Sequence, residues 1–155
     1  MTEAFEKAKK ALSVTSVTLR DSYVALNDDI DLKDFDTSDA DIQTFRGVQK
    51  VRETSIQSEE KEFWEYHFYY GCGIRLVNEE NPDLEEITDA LVEIRATFNA
   101  TYRSDKKVDK ELIEAFSEEN VGYHVWPYWR ELVQSSCSRL CISTIETPLY
   151  FCTSK

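Results

Sequence analysis

The sequence is short of cations. Lys and Arg number 18 against 30 Asp and Glu, which leaves a net charge of -12 over 155 residues. Affinity for a phosphate backbone is built from clustered Lys and Arg, so nucleic acid is excluded as a principal partner. Long apolar runs are missing as well. The N-terminal stretch mixes Glu3, Glu6, Lys7, Lys9 and Lys10 with small residues, and nothing there resembles the core of a secretory signal or a membrane span. A cytosolic location with no membrane partner is expected. Cys72, Cys137, Cys141 and Cys152 have no CxxC spacing, and a reducing compartment keeps such thiols unpaired, so they read as small hydrophobes.

Histidine is sparse too. His67 and His124 are the only two, and the sequence has no HExxH and no His-Cys cluster. Metal or catalytic chemistry needs oriented partners at defined spacing, so no catalytic residue, no metal and no cofactor is expected. Cys137 and Cys141 lie four apart and would share a helix face, where zinc would need two further ligands and packing needs none. Gly71, Cys72 and Gly73 fall inside a strand pattern with no following helix and no GK[ST], which rules out a phosphate loop and leaves a bulge or a close backbone approach. Arg130 and Glu131 are adjacent, so on a helix they point in different directions, and a cap or an intersubunit salt bridge is the expected role. No internal repeat or low-complexity tract is present. A single domain over residues 1–155 follows, with residues 1–12 as an amphipathic helical arm that places Phe5, Ala8 and Leu12 on one side.

What is present is alternation. Residues 14–26 carry Val14, Val17, Leu19, Tyr23 and Val24 among Ser and Thr, a strand composition whose alternation slips once, as a bulge makes it do. Residues 27–40 are crowded with Asp yet carry Ile30, Leu32 and Phe35 without a period, which predicts a polar crossover dotted with apolar side chains. A second, weaker strand is predicted over 45–56. The third is clearest: Trp64, Tyr66, Phe68, Tyr70, Cys72, Ile74 and Leu76 alternate with Glu65, His67, Gly71, Gly73 and Arg75, so one face is buried and the other wet. The stripe reads as core, with binding of an apolar ligand as the alternative. Residues 78–83 form a loop with Pro82, after which 88–102 repeat the alternation. The period then changes. Val108, Leu112, Ile113 and Phe116 recur at helical spacing within 105–120, and a second helix is predicted from Pro127 at its first turn to about Leu140. Trp129, Val133, Cys137 and Leu140 line one edge of that helix while Tyr128 and Leu132 broaden it, more apolar arc than one sheet requires. The fold class is α+β, a four-stranded antiparallel sheet with helices packed on one face in the order β-β-β-β-α-α.

Within this pattern the segment Trp126-Pro127-Tyr128-Trp129-Arg130-Glu131-Leu132-Val133 resembles the apolar-Pro-Tyr-X-Arg-Glu segment that opens the long helix of the SecB chaperone family. Ser138-Arg139-Leu140 and Thr147-Pro148-Leu149 resemble the helix end and the Pro-containing stretch behind it, and the likeness covers roughly residues 14–151. The resemblance implies an ATP-independent chaperone with no catalytic site that holds unfolded client polypeptide in apolar grooves. It implies a homo-oligomer, a dimer of dimers whose long helices meet through Tyr128, Trp129, Leu132, Val133, Ser136 and Leu140. The client-binding residues it implies are Ile30, Leu32, Phe35, Ile42 and Phe45, with Leu149, Tyr150 and Phe151 on the far side. Export members of the family continue beyond the counterpart of Phe151 into a further helix and a tail that contacts the SecA motor. The resemblance therefore points to a dedicated chaperone of a toxin-antitoxin-chaperone system, with an antitoxin as client, ahead of a general export chaperone serving SecA. From another class, a small apolar-ligand-binding or enzymatic α+β domain would use the apolar sheet face as a pocket.

Overall fold

The computed structural model describes residues 2–78 and 90–150. Its elements are α1 (Glu3–Ala11), β1 (Ser13–Leu26), β2 (Asp41–Gln57), β3 (Glu62–Val77), β4 (Val92–Ser104), α2 (Lys110–Glu119) and α3 (Val121–Leu140). The four strands form one antiparallel sheet in the order β1-β4-β3-β2. The expected α+β class and element order hold, with the expected arm in front as α1.

The alternation in β3 and β4 decides which face the helices cover. Tyr66, Phe68, Tyr70, Cys72, Ile74 and Leu76 lie across from Tyr102, Ala100, Phe98, Ala96, Ile94 and Val92 on the neighbouring strand, and all are buried. The aromatic stripe is thus core. Phe116 of α2 and Val121, Val125, Trp129, Val133 and Cys137 of α3 close over it. Phe116 meets Tyr102 edge-to-face at 4.8 Å between centroids and Phe68 at 5.7 Å. The opposite face is polar: His67 Nε2 lies 3.0 Å from a Glu65 carboxylate oxygen, and His67 Nδ1 lies within 3.2 Å of Asn99 and Thr101 side chains.

The arm forms as its sequence dictates. Thr2 caps α1 by accepting from the Phe5 amide, Glu3 and Glu6 occupy the first turn and Lys9 and Lys10 the last, each charge placed favourably against the helix dipole. Phe5, Ala8 and Leu12 are buried as expected, and the arm packs against α2. The acidic crossover, residues 27–40, is held by its own polar side chains. Asn27, Asp31 and Asp36 each accept from an amide two residues on, at 2.9 to 3.0 Å, which is the turn-forming habit of Asn and Asp. The Ser38 amide also holds the Asp36 carboxyl below the ordinary carboxylate range.

Three details differ from the sequence-based expectation. The alternation of β1 slips twice, between Val14 and Ser16 and between Leu19 and Asp21, where the register against β4 shifts. These two bulges keep Val14, Val17, Leu19, Val24 and Leu26 on the helix side despite their irregular spacing. Helix α3 starts at Val121 rather than at Pro127, so the proline sits in its seventh position and α2 and α3 abut at Asn120. A proline there removes one amide from the helix ladder, which leaves the Tyr123 carbonyl without its i+4 donor; both Tyr123 and Pro127 lie on the exposed side. The fourth strand starts at Val92, with residues 79–89, including most of the expected loop and the expected strand start at Thr88, outside the described residues. Helix α3 ends on Cys141 in the left-handed region, φ 57°, with the Ile142 amide bonded back to the Cys137 carbonyl, the termination that glycine more often provides.

Candidate functional site

The apolar surface lies where β2, α3 and the chain beyond α3 meet. Strand β2 is an edge, and its side chains alternate across the sheet. Ile42 pairs with Leu76 on the helix side, whereas Phe45 pairs with Gly73 and lies on the polar face. The odd spacing separates the two. They are 53% and 52% exposed, so both are available, but on opposite sides of one strand. The two-glycine segment of β3 explains the placement: a Cβ on Gly73 would collide with the Phe45 ring and one on Gly71 with the Gln49 side chain. What approaches these glycines is therefore side chains of the neighbouring strand, and the expected bulge lies beside them in β2, between Val48 and Lys50, at the Gln49 that covers Gly71.

Beyond α3 the chain turns back along the helix. Ile145 is buried. The Trp126 indole N-H donates to the Pro148 carbonyl at 2.7 Å, and the Tyr150 ring sits 5.5 Å from Trp126 with the Arg46 guanidinium 4.6 Å from it. Arg46 also lies 5.1 Å from Trp126, so one cation is held between two aromatic faces. Burial pushes the Tyr70 hydroxyl far up from its ordinary value, with Tyr150 adding to the rise. Two cavities flank this segment. One, of about 420 Å³, is lined by residues 44–46 of β2, by Trp126 and Trp129 and by Thr147, Pro148 and Leu149. The other, of about 680 Å³, is lined by Tyr123, Trp126, Arg130, Gln134, Leu149 and Tyr150, among others.

The structure brings together part of the expected client-binding set. Leu149 is 63% exposed at the rim and Tyr150 lies partly buried within the groove. In the crossover, Leu32 is exposed while Ile30 and Phe35 are partly buried, Phe35 against the core. A hydrogen bond of 2.6 Å between Thr37 and Ser143 ties the crossover to the chain beyond α3. Phe151 lies outside the described residues. Trp126 and Arg46, which frame the groove, were not singled out from sequence as binding residues, although Trp126 opens the Pro-Tyr segment.

The expected oligomer face divides. Trp129, Val133 and Ser136 are buried in the chain's own core, because their side of α3 is spent on the sheet. Tyr128 remains exposed and Leu132 and Leu140 partly so. Sequence reasoning missed a second uncovered strip: on β1, Val14, Leu19 and Val24 face the helix side yet stay exposed.

His124 and Cys72 are held in packed surroundings. His124 Nδ1 lies 2.9 Å from the Tyr102 hydroxyl, and burial lowers the imidazole pKa. Burial likewise pushes the Cys72 thiol up to about 12, which keeps it protonated and unreactive. Arg130 and Glu131 stand mid-helix and cap nothing. Among the described residues no group of three His, Cys, Asp or Glu is placed to hold a metal ion, and no helix is long and apolar enough to cross a membrane.

No family model matches the chain, and no curated protein does. Among solved structures the chain is similar to the Mycobacterium tuberculosis Rv1957 SecB-like chaperone in complex with a ChAD peptide from the Rv1956 HigA1 antitoxin. The match has a TM-score of 0.61 at 11% identity and covers 97% of this chain and 98% of that one. Over nearly its whole length, then, the chain has a SecB-like fold, and the resemblance first read from the Pro-Tyr segment holds at that level.

Proposed function

We propose that this protein is an ATP-independent holding chaperone whose client is an unfolded polypeptide, an antitoxin in the first instance. The observation that carries the reading is the groove along α3, bordered by half-exposed apolar side chains and able to seat an extended peptide, since residues 147–150 already lie in it. Burial of apolar client surface there is worth roughly 25 cal/mol per Å², so a single groove holds weakly. Several grooves on one oligomer act together through effective concentration, which favours a long unfolded chain over a folded one. Binding of the unfolded state by mass action needs no energy source.

The oligomer belongs to the same proposal. A dimer of dimers would use the accessible residues Tyr128, Leu132 and Leu140 on α3 and the uncovered strip of β1. An edge strand with apolar side chains is otherwise an invitation to uncontrolled pairing, and a second copy would close it. The antitoxin client is supported by the peptide bound to the Mycobacterium tuberculosis relative in fold. The net charge of -12 would draw in basic client segments.

The test is whether the purified protein keeps a chemically denatured protein soluble at stoichiometric amounts, followed by light scattering, and whether co-expression lengthens the half-life of an antitoxin encoded beside it. Suppression of scattering with antitoxin protection supports the proposal. Failure to suppress aggregation by a folded oligomer would overturn it, and retention of SecA on the immobilised protein would favour the export role instead.

A further inference from the structure

The segment that fills the groove has the properties of a client. Residues 147–150 bind α3 through one main-chain carbonyl and one aromatic ring: Pro148 accepts from Trp126, and Tyr150, two positions on, lies against Trp126 and Arg46. Both contacts therefore come from one three-residue stretch of chain. Gly122 lies at the hydroxyl end of the ring, where a Cβ would collide with Tyr150 and with the Tyr70 hydroxyl beside it. A glycine at the second position of a helix is disfavoured on conformational grounds; here it makes a slot for a flat ring. The carbonyl contact reads only backbone and suits any polypeptide, while the slot selects an aromatic side chain.

One helical turn further on, Arg130 Nε is buried with no hydrogen-bond partner among the described residues, and Arg130 borders the same cavity. Trp126 and Arg130 are four apart and share a helix face. The described part of the strap satisfies the first of these donors and leaves the second unmet. A buried unpaired donor is unfavourable, so a ligand that supplies a further acceptor gains what the strap does not.

We infer that residues 147–150 are a built-in competitor for the groove, displaced by an extended client segment that presents an aromatic ring two positions after a free carbonyl and a further acceptor to Arg130. The inference rests on the holding function proposed above and names the client chemistry that this groove takes. A client lacking the ring leaves the strap in place, which makes the groove selective as well as apolar. The apparent client affinity is lowered by the fraction of molecules in which the strap is seated.

The experiment uses a fluorescein-labelled peptide with this chain's own residues 142–150, read by fluorescence anisotropy against the full-length protein and Tyr150→Ala. The variant is expected to bind the peptide about tenfold more tightly than the wild type, and a peptide with its final tyrosine replaced by serine is expected to lose binding to both. Equal affinities for folded wild type and variant would overturn the inference. Should Tyr150→Ala fail to fold, hydrogen exchange of residues 147–150 in the wild-type protein decides, with and without saturating reduced, carboxymethylated lysozyme as a permanently unfolded client. Faster exchange on binding supports displacement; bound lysozyme with unchanged exchange refutes it while leaving the holding function intact. Absence of any lysozyme binding would refute the holding function itself, and this inference with it.

Discussion

Ile42 and Leu19 offer a controlled comparison of the two surfaces. Each is an aliphatic residue on an edge strand, each faces the helix side, and they are 53% and 49% exposed. Full burial of such a side chain is worth about 1.5–3 kcal/mol, so covering the accessible half gains about 0.8–1.6 kcal/mol at either place. Ile42→Ser should weaken binding of an unfolded peptide about four- to fifteenfold and leave self-association unchanged. Leu19→Ser should do the reverse. If β1 meets its own copy across a two-fold axis, the substitution counts twice, and the loss rises to about 1.6–3.2 kcal/mol per dimer. Surface substitutions away from special features shift stability by only about 0.5 kcal/mol, so both variants should fold normally. Peptide anisotropy and sedimentation velocity measure the two effects. If Leu19→Ser impairs peptide binding at unchanged oligomeric state while Ile42→Ser leaves it intact, the assignment of client to the β2 edge and partner copy to the β1 edge is wrong.

Three further outcomes are expected. Phe116 is the one buried residue of α2, so Phe116→Ala should lower stability by about 3–5 kcal/mol in urea unfolding, and a loss under 1 kcal/mol would mean that α2 is held otherwise. The lowered pKa of His124 means that the unfolded chain takes up the proton first as pH falls. Its contribution to stability is therefore complete above the ordinary histidine pKa of about 6.5 and is lost as pH falls through the folded value; His124→Gln should flatten the thermal-melting profile over that acid range. Native thiol labelling in a Cys152→Ser background should modify the exposed Cys141 rapidly and spare buried Cys72 and Cys137, and rapid labelling of all three would contradict the packing of α3 on β3.

The strands were legible because their two-residue period is a direct consequence of having one wet face. Tyr66 to Leu76 and Val92 to Tyr102 declared their buried side without help from any neighbour. The start of α3 was harder to read: Pro127 carries a strong first-turn preference, but the burial of Val121, Val125 and Trp126 stabilises a helix that begins six residues earlier and tolerates the missing amide. Binding residues were harder still. Ile42 and Phe45 look equivalent in the sequence, and only the strand register separates their faces. On α3, apolar arc alone could not distinguish Trp129, which faces the sheet, from Tyr128, which faces solvent. The groove itself depends on the chain turning back so that Pro148 meets Trp126, a contact across 22 positions that no local pattern encodes.

The strand order carries a consequence for biosynthesis. Strands β2, β3 and β4 follow one another as a meander and can zip together as they leave the ribosome, but β1, the first to emerge, hydrogen-bonds only to β4, the last. Translation must therefore pass Ser104 before Val14, Leu19 and Val24 find any strand to lie beside. A protein proposed to shelter unpaired polypeptide thus spends its own synthesis with its first strand in that condition, and closing so distant a pair is the slow step that topology imposes.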